Sequence, residues 1–323
     1  PPPPPPPPTR QSSSAASDVY KRQVLRSLAR DGSWAAGFLA LSQVLLVVVL
    51  LLSNRVEGGV VIYQLAFVLF MLPNSLFAVP VFTTAFPSLT RNERAGDWSA
   101  FAEEVGRATR SISFLTLGSA AALVALSAPL ADLVARGNAS GRTGEIAGAM
   151  AAFAVGLPGY SMILFLTRVS YAYRDTPSPT FVNLGVALVG TALMTSTVAA
   201  VSDSDVVTAI GLGFSVAQLL GAVALGLRVR ARLHREGVRV EAVAWPAARS
   251  LLAASAGAVF AWFVSDALLA TATGPAGLAL SAAAVIIGSV VLAADTQGLQ
   301  RALGGPGPTE TVRSLGAARG GST

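Results

Sequence analysis

The segment VVIYQLAFVLFMLPNSLFAVPVFTTAFPSL, residues 60–89, decides the class of this chain. It runs for thirty residues without a charge. As a helix it is about 45 Å long at 1.5 Å per residue, more than the hydrocarbon core of a bilayer requires. Within it lie Pro73, Pro80 and Pro87, at intervals of seven. Seven residues is close to two helical turns, so the three rings fall near one face. Each proline removes a backbone donor and clashes with the carbonyl one turn earlier. The pattern predicts a helix bent repeatedly in one direction, with freed carbonyls that must face protein or water rather than lipid. Asn74, Thr83 and Thr84 are placed to satisfy some of them. Two readings stand: a curved packing helix, or a bent helix that lines a central cavity and flexes during transport, as broken helices do in secondary transporters.

The rest of the chain agrees with a lipid solvent. Of 323 residues 53% are hydrophobic and 12% charged, against about a quarter charged in an ordinary soluble domain. Outward from the central segment, further apolar runs lie at Ser33–Ser53, Ser111–Ala135, Ile146–Tyr173, Thr180–Val201, Val206–Leu227, Leu251–Leu269 and Pro275–Ala294. Each is near the length a membrane-spanning helix needs. Several are rich in Ala, Gly and Ser, which let spanning helices approach closely. Barrel strands would be half as long and strictly alternating. The fold class expected is an all-α integral membrane protein with eight transmembrane helices.

Charge then orients the bundle. Nineteen of the 23 basic residues fall in alternate connections: around Arg10–Arg30, Arg91–Arg110, Arg174, Arg228–Arg249 and Arg301–Arg319. Three lie in the opposite connections, Arg55, Arg136 and Arg142, and Arg168 sits inside a run. The positive-inside rule makes the rich side cytoplasmic, with both ends of the chain on that side. The pI near 10.4 is thus a topology signal, strengthened by anionic lipid, and no nucleic-acid partner is expected. With no Cys and one His, His234, disulfides and Cys/His metal sites are excluded. No phosphate-binding Gly loop, catalytic carboxylate pair or nucleophile–base arrangement appears, so no enzyme and no cofactor is expected. A coupling ion or the membrane potential remains open as the driving force. Asp132 and Asp266, near outward-facing helix ends, are weighed as cation ligands against simple exposure to water.

Five segments follow. Residues 1–32 join a proline homopolymer to a Ser/Ala-rich cytoplasmic lead-in. Their composition predicts disorder or polyproline II, either as an assembly artefact or as a proline-rich ligand. The first Met is Met71, inside an apolar run, so the chain reads as a fragment. Residues 33–227 form six spans, 228–250 a basic cytoplasmic loop, 251–294 a further helix pair and 295–323 a disordered tail. In the loop 91–110, Trp98, Phe101, Ala102 and Val105 recur at helical spacing behind an Asp97 N-cap. This predicts an amphipathic helix on the cytoplasmic interface, or else a linker packed on the bundle.

Three stretches carry a resemblance. LPNSLFAVPVFTTAFPSLTR (72–91), LTRVSYAYRDTPSP (166–179) and Gln43 in LSQVLL resemble, in order and spacing, the MurJ/MviN lipid II flippases. The resemblance covers residues 33–300. It implies the multidrug/oligosaccharidyl-lipid/polysaccharide exporter fold, with this chain equivalent to the C-terminal six-helix lobe (33–227) plus two extra helices forming a lipid groove (251–294). The missing N-terminal six-helix lobe becomes a partner, alongside the lipid-linked peptidoglycan precursor and membrane lipids. The implied task is to move undecaprenyl-linked precursor from the inner to the outer leaflet. Where family members often carry a cavity Arg in the bent helix, this chain has Val68, so cationic contacts must come from elsewhere.

Candidate substrate or cavity residues are therefore Gln43, Asn74, Arg168 and Tyr171, with Pro73, Pro80 and Pro87 as helix-bending residues. Arg168 either snorkels to the interface or faces the cavity mouth. Arg174, Asp175 and Pro179 form a cytoplasmic turn, read as a structural clasp or a ligand site. The competing functions are export of another lipid-linked glycan or of a drug, and a non-transporting membrane scaffold for cell-wall enzymes. A drug exporter calls for buried acids, which these runs almost lack.

Overall fold

A computed structural model describes residues 10–135 and 140–238 of the chain. The expected helix pair 251–294, the tail 295–323, most of the 228–250 loop, the proline tract, Asp266 and Arg136 lie outside the described residues. Nine α-helices occur among the described residues: α1 Arg10–Ser53, α2 Gly59–Pro73, α3 Val79–Ala95, α4 Trp98–Ala125, α5 Ser127–Val134, α6 Thr143–Val155, α7 Leu157–Ala172, α8 Pro177–Val198 and α9 Val206–Arg235. A π turn, Asn74–Ala78, joins α2 to α3, and no strand occurs among the described residues. Five elements are long and apolar enough to span a membrane. A sixth forms if the bent pair α6–α7 is one span. These six correspond to the first six apolar runs.

The structure corrects three boundaries. α1 already begins at Arg10, so residues 10–32 are helical rather than disordered; their Ala, Arg, Lys and Leu content favours helix. The loop 91–110 holds no separate interface helix. Asp97 does cap, accepting a hydrogen bond from the Ala100 N–H at 3.0 Å, but α4 then continues unbroken to Ala125. Its apolar positions Phe101 and Val105 are buried against the bundle, because Tyr173 offers a ring 6.3 Å from Phe101. The Ala100 N–H and the Ser99 hydroxyl together hold the Asp97 carboxyl below the usual carboxylate range. Third, the run Ser111–Ala135 breaks at Leu126. Pro129 lacks the donor for the Ala125 carbonyl and would clash with it, so the long helix stops one turn earlier.

The run Ile146–Tyr173 also breaks, by 41° between α6 and α7. Pro158 supplies no N–H one turn after Ala154, and the Gly156 N–H turns to the Phe153 carbonyl at 2.9 Å. That leaves the Ala152 carbonyl without its helical partner. The Ser215 hydroxyl of α9 donates to it at 2.7 Å and lies 3.3 Å from the Phe153 carbonyl. A backbone defect inside hydrocarbon is thus met by a neighbouring helix.

α9 is the pillar of the bundle, packed against α6, α7 and α8. Small residues permit this. A Cβ on Gly159 would lie 2.7 Å from the Leu219 backbone nitrogen and 2.9 Å from the Gln218 carbonyl oxygen. Phe70, Phe153 and Phe214, with Phe67 and Tyr160, fill the space between α2, α6, α7 and α9 with rings 5.4–6.4 Å apart. Outward, Leu39 and Leu51 of α1, Leu188 of α8 and Leu227 of α9 are exposed, as a lipid-facing surface allows.

The contrast between tight and open glycines is testable by melting the protein in detergent. Gly159→Ala should lower stability by about 1–3 kcal/mol through overpacking. Gly118→Ala, with nothing within 4 Å of the added Cβ, should be neutral or stabilise by about 0.5–1 kcal/mol.

Candidate functional site

Two of the three prolines of the second span sit on its uncovered side. Pro73 is half-buried, whereas Pro80 and Pro87 are exposed. Gln64, Ser75, Thr83 and Thr84 share the exposed side with them, as do Val68 and Leu72. The opposite side, Phe70, Ala78, Phe82, Ala85 and Leu89, is fully buried or nearly so. The span is therefore two-faced: one side packs into the lobe, and the other offers hydroxyls, an amide and proline-freed backbone among exposed apolar side chains such as Leu76 and Phe77. Thr84 Oγ1 donates to the Pro80 carbonyl at 3.0 Å and Thr83 Oγ1 to the Pro80 and Val79 carbonyls. These hydroxyls tie back to their own turn, and do not reach the carbonyls one turn before each proline as the sequence suggests.

Asn74 belongs to the other side. It is 4% exposed, and its Oδ1 accepts a hydrogen bond at 2.8 Å from the Ser161 hydroxyl of α7, which is fully buried. Asn74 thus joins two helices inside the lobe instead of facing a cavity. The irregularity after Pro73 is also not a simple bend: five residues adopt one wide π turn, in which the Val79 N–H donates to the Asn74 carbonyl.

Arg168 is half-exposed, its guanidinium 4.0 Å from the centroid of the Phe82 ring, and its Nη1 donates to the Leu164 carbonyl at 3.2 Å. No carboxylate lies within ion-pair distance of it among the described residues. An aromatic face attracts the cation without neutralising it, so the guanidinium keeps donors for an anion. Tyr171, half-buried, follows three residues on along the same helix face.

Gln43 does not join this group. It is exposed on α1, which packs chiefly on α8. There Asn183 Nδ2 donates to the Phe38 carbonyl at 2.7 Å and to Ser42 Oγ at 2.9 Å. In the turn after α7, Asp175 accepts from the Ser178 N–H at 3.1 Å and so caps α8. Arg174 is exposed in the left-handed region at φ 61°, and Pro179 is buried in the first turn of α8. Sequence reasoning missed Ser161, Phe82, Asn183 and Ser215. The only local signal for the first and last two is a polar residue inside an apolar run.

The basic connections gather at one end. Arg232 of α9 lies 5.6 Å from the Trp98 ring and pairs with Glu236 at 2.8 Å, and Arg228 donates to the Ser178 carbonyl at 3.3 Å. At the other end Arg142 pairs with Glu145 at 2.7 Å and donates to the Glu57 carbonyl. The Glu145 carboxylate raises the Arg142 guanidinium above its ordinary range. Asp132 is exposed, and no three His, Asp or Glu converge among the described residues.

A model of the family described as lipid II flippase MurJ matches residues 17–269. A probable lipid II flippase MurJ of Rhizobium meliloti (strain 1021) is 30% identical over 140 residues, covering 42% of this chain and 26% of that protein. One from Rickettsia prowazekii (strain Madrid E) is 26% identical over 142 residues, covering 43% and 28%. A solved structure of a lipid II flippase MurJ in an inward closed conformation superposes with a TM-score of 0.64 at 19% identity, over 82% of this chain and 52% of that one. The matches span about a quarter of the curated relatives' length and half of the solved chain.

The Arg168–Phe82 contact is measurable apart from any activity. A double-mutant cycle of Arg168→Met and Phe82→Leu, read by thermal denaturation, should give a coupling of about 0.5–2 kcal/mol.

Proposed function

Because the chain belongs to the lipid II flippase MurJ family, we propose that it forms one lobe of a transporter that carries undecaprenyl-linked peptidoglycan precursor from the inner to the outer leaflet. The observation that supports this reading, beyond the family match, is the uncovered side of the second span, where Gln64, Ser75, Thr83 and Thr84 lie among Val68, Leu72 and Leu76, beside an Arg168 with no carboxylate partner among the described residues. Thr83 and Thr84 bond back to their own turn and are tolerable in lipid, but the Gln64 amide on the same side calls for water or protein. A water-filled cavity supplies the first. The opposite wall is assigned to the half of the family fold that this chain does not span. The end bearing Trp98, Arg228 and Arg232 faces the cytoplasm of a bacterial plasma membrane.

The chemistry follows from solvation. A diphosphate-sugar headgroup cannot enter hydrocarbon unaided, because stripping water from its charges is prohibitive. The hydroxyls and amide of the second span replace part of that water. Arg168, held flat on Phe82 near the basic end, offers its remaining N–H groups to phosphate oxygens as the headgroup enters, where planar guanidinium geometry suits bidentate contact. The polyprenyl tail stays in lipid while the two lobes rock between inward- and outward-open states. No covalent bond is made or broken.

Depleting the full-length protein should trap precursor in the inner leaflet; unchanged outer-leaflet labelling would overturn the reading. Arg168→Lys should retain part of the flipping activity and Arg168→Ala lose it while still folding; equal activities would make Arg168 an interfacial anchor only. The sequence contains no cysteine, so a charged thiol reagent can map the cavity. Thr84→Cys and Ser75→Cys should react readily and Leu188→Cys, on the outer side of α8, should not. A silent Thr84→Cys would mean that this side faces lipid.

A further inference from the structure

The second span changes its helical register once, at the π turn, and something must hold that change in place. A π turn accommodates one residue more than an α turn, so every residue of α3 is displaced by one position relative to α2. Were the turn to revert to α geometry, the Ala78 N–H would take over the Asn74 carbonyl from Val79. α3 would then rotate by about 100°, each residue moving to the place its successor now holds. Val81 would replace Phe82 beneath Arg168, and Thr84 would move into the buried place of Ala85. The polar side of α3 is therefore set by register, and register is set at residues 74–78.

Pro73 ends α2, and Pro80, one residue inside α3, crowds the Leu76 carbonyl within the turn and favours a wider ring, but neither proline ties the turn to another helix. Among the described residues Asn74, its first residue, is the only one of the five whose side chain hydrogen-bonds another helix, at Ser161. Both side chains are more than nine-tenths buried. Ser161 in turn is positioned by the start of α7, where Gly159 abuts the α9 backbone and Ser215 secures the break behind it. The α7 helix that carries Ser161 also carries Arg168, seven residues or about two turns further on.

We propose that Asn74 and Ser161 are positioning residues that pin the π turn and so choose which side of α3 faces the cavity and which residue lies against Arg168. Neither needs to touch the cargo. The positioning role rests on the transport reading above; the register does not, and it is measured separately.

The test is thiol cross-linking in the full-length protein with a short bifunctional reagent. With Asn74 and Ser161 intact, the pair Phe82→Cys/Arg168→Cys should cross-link in preference to Val81→Cys/Arg168→Cys. Adding Ser161→Ala or Asn74→Ala should shift that preference toward Val81→Cys by about fivefold, the weight of one hydrogen bond. Ser161→Ala removes only a hydroxyl, so it decides the matter if Asn74→Ala fails to accumulate. An unchanged preference in folded Ser161→Ala overturns the pin, because loss of stability alone lowers both cross-links together. A shifted preference upholds it even if the protein with Arg168, Asn74 and Ser161 intact fails to flip lipid in vesicles, a result that counts against the transport reading instead.

Discussion

Hydrocarbon offers a backbone no hydrogen-bond partner, and this constraint organises the lobe. Every regular span satisfies its own peptide groups; every irregularity must be met by protein or water. The break at Gly156–Pro158 is met by the Ser215 hydroxyl, the one at Leu126 in part by Ser127, which donates to the Val124 carbonyl at 2.9 Å. The turn after Pro73 solves the problem internally by lengthening a hydrogen-bonded ring. Pro80 and Pro87 are exposed from the lobe, and their freed carbonyls are tolerable only if that side meets water or a second wall of protein.

The same constraint explains why α9 is central. Apolar burial drives little association between helices already dissolved in lipid, so packing depends on close backbone approach and on interhelical hydrogen bonds. α9 supplies both: Gly213 lets the Met194 backbone of α8 approach, while Ser215 and the contact of Gln218 with Gly159 secure α6 and α7. α1 is held differently, through Thr180 and Asn183 of α8 donating to the Trp34 and Phe38 carbonyls at 2.8 and 2.7 Å. The lobe is thus a bundle of helices braced on α9, with the uncovered side of the two-faced second span at its margin.

The proposed transport role rests on that margin. A cation stacked on an aromatic ring keeps its charge without consuming its donors, which suits transient contact with a phosphate better than an ion pair would. Arg142 at the opposite end has the complementary character: paired with Glu145 and donating to the Glu57 carbonyl, it closes a clasp between two connections. The site was only partly legible in advance. Arg168 stands out because a lone charge in an apolar run is conspicuous, and the prolines because their spacing repeats. Asn74 is equally conspicuous, but an amide beside a proline reads the same whether it faces a cavity or a serine 87 residues away.

The sequence by itself determined the solvent, the spans within the described residues and the segregation of arginines between alternate connections. Those depend on local composition and length, which hydrocarbon thickness converts directly into helices. It also marked the second span as interrupted, because proline's missing donor is a property of the residue, whereas the runs holding Pro129 and Pro158 read as unbroken. What only the tertiary structure decided is the form each interruption takes: a wide turn after Pro73, a 41° break near Pro158, a stop before Pro129. It decided too which side of each helix is buried. In spans apolar all round, no hydrophobic periodicity distinguishes lipid from protein, and the choice falls to small residues and hydrogen bonds between helices far apart in the chain.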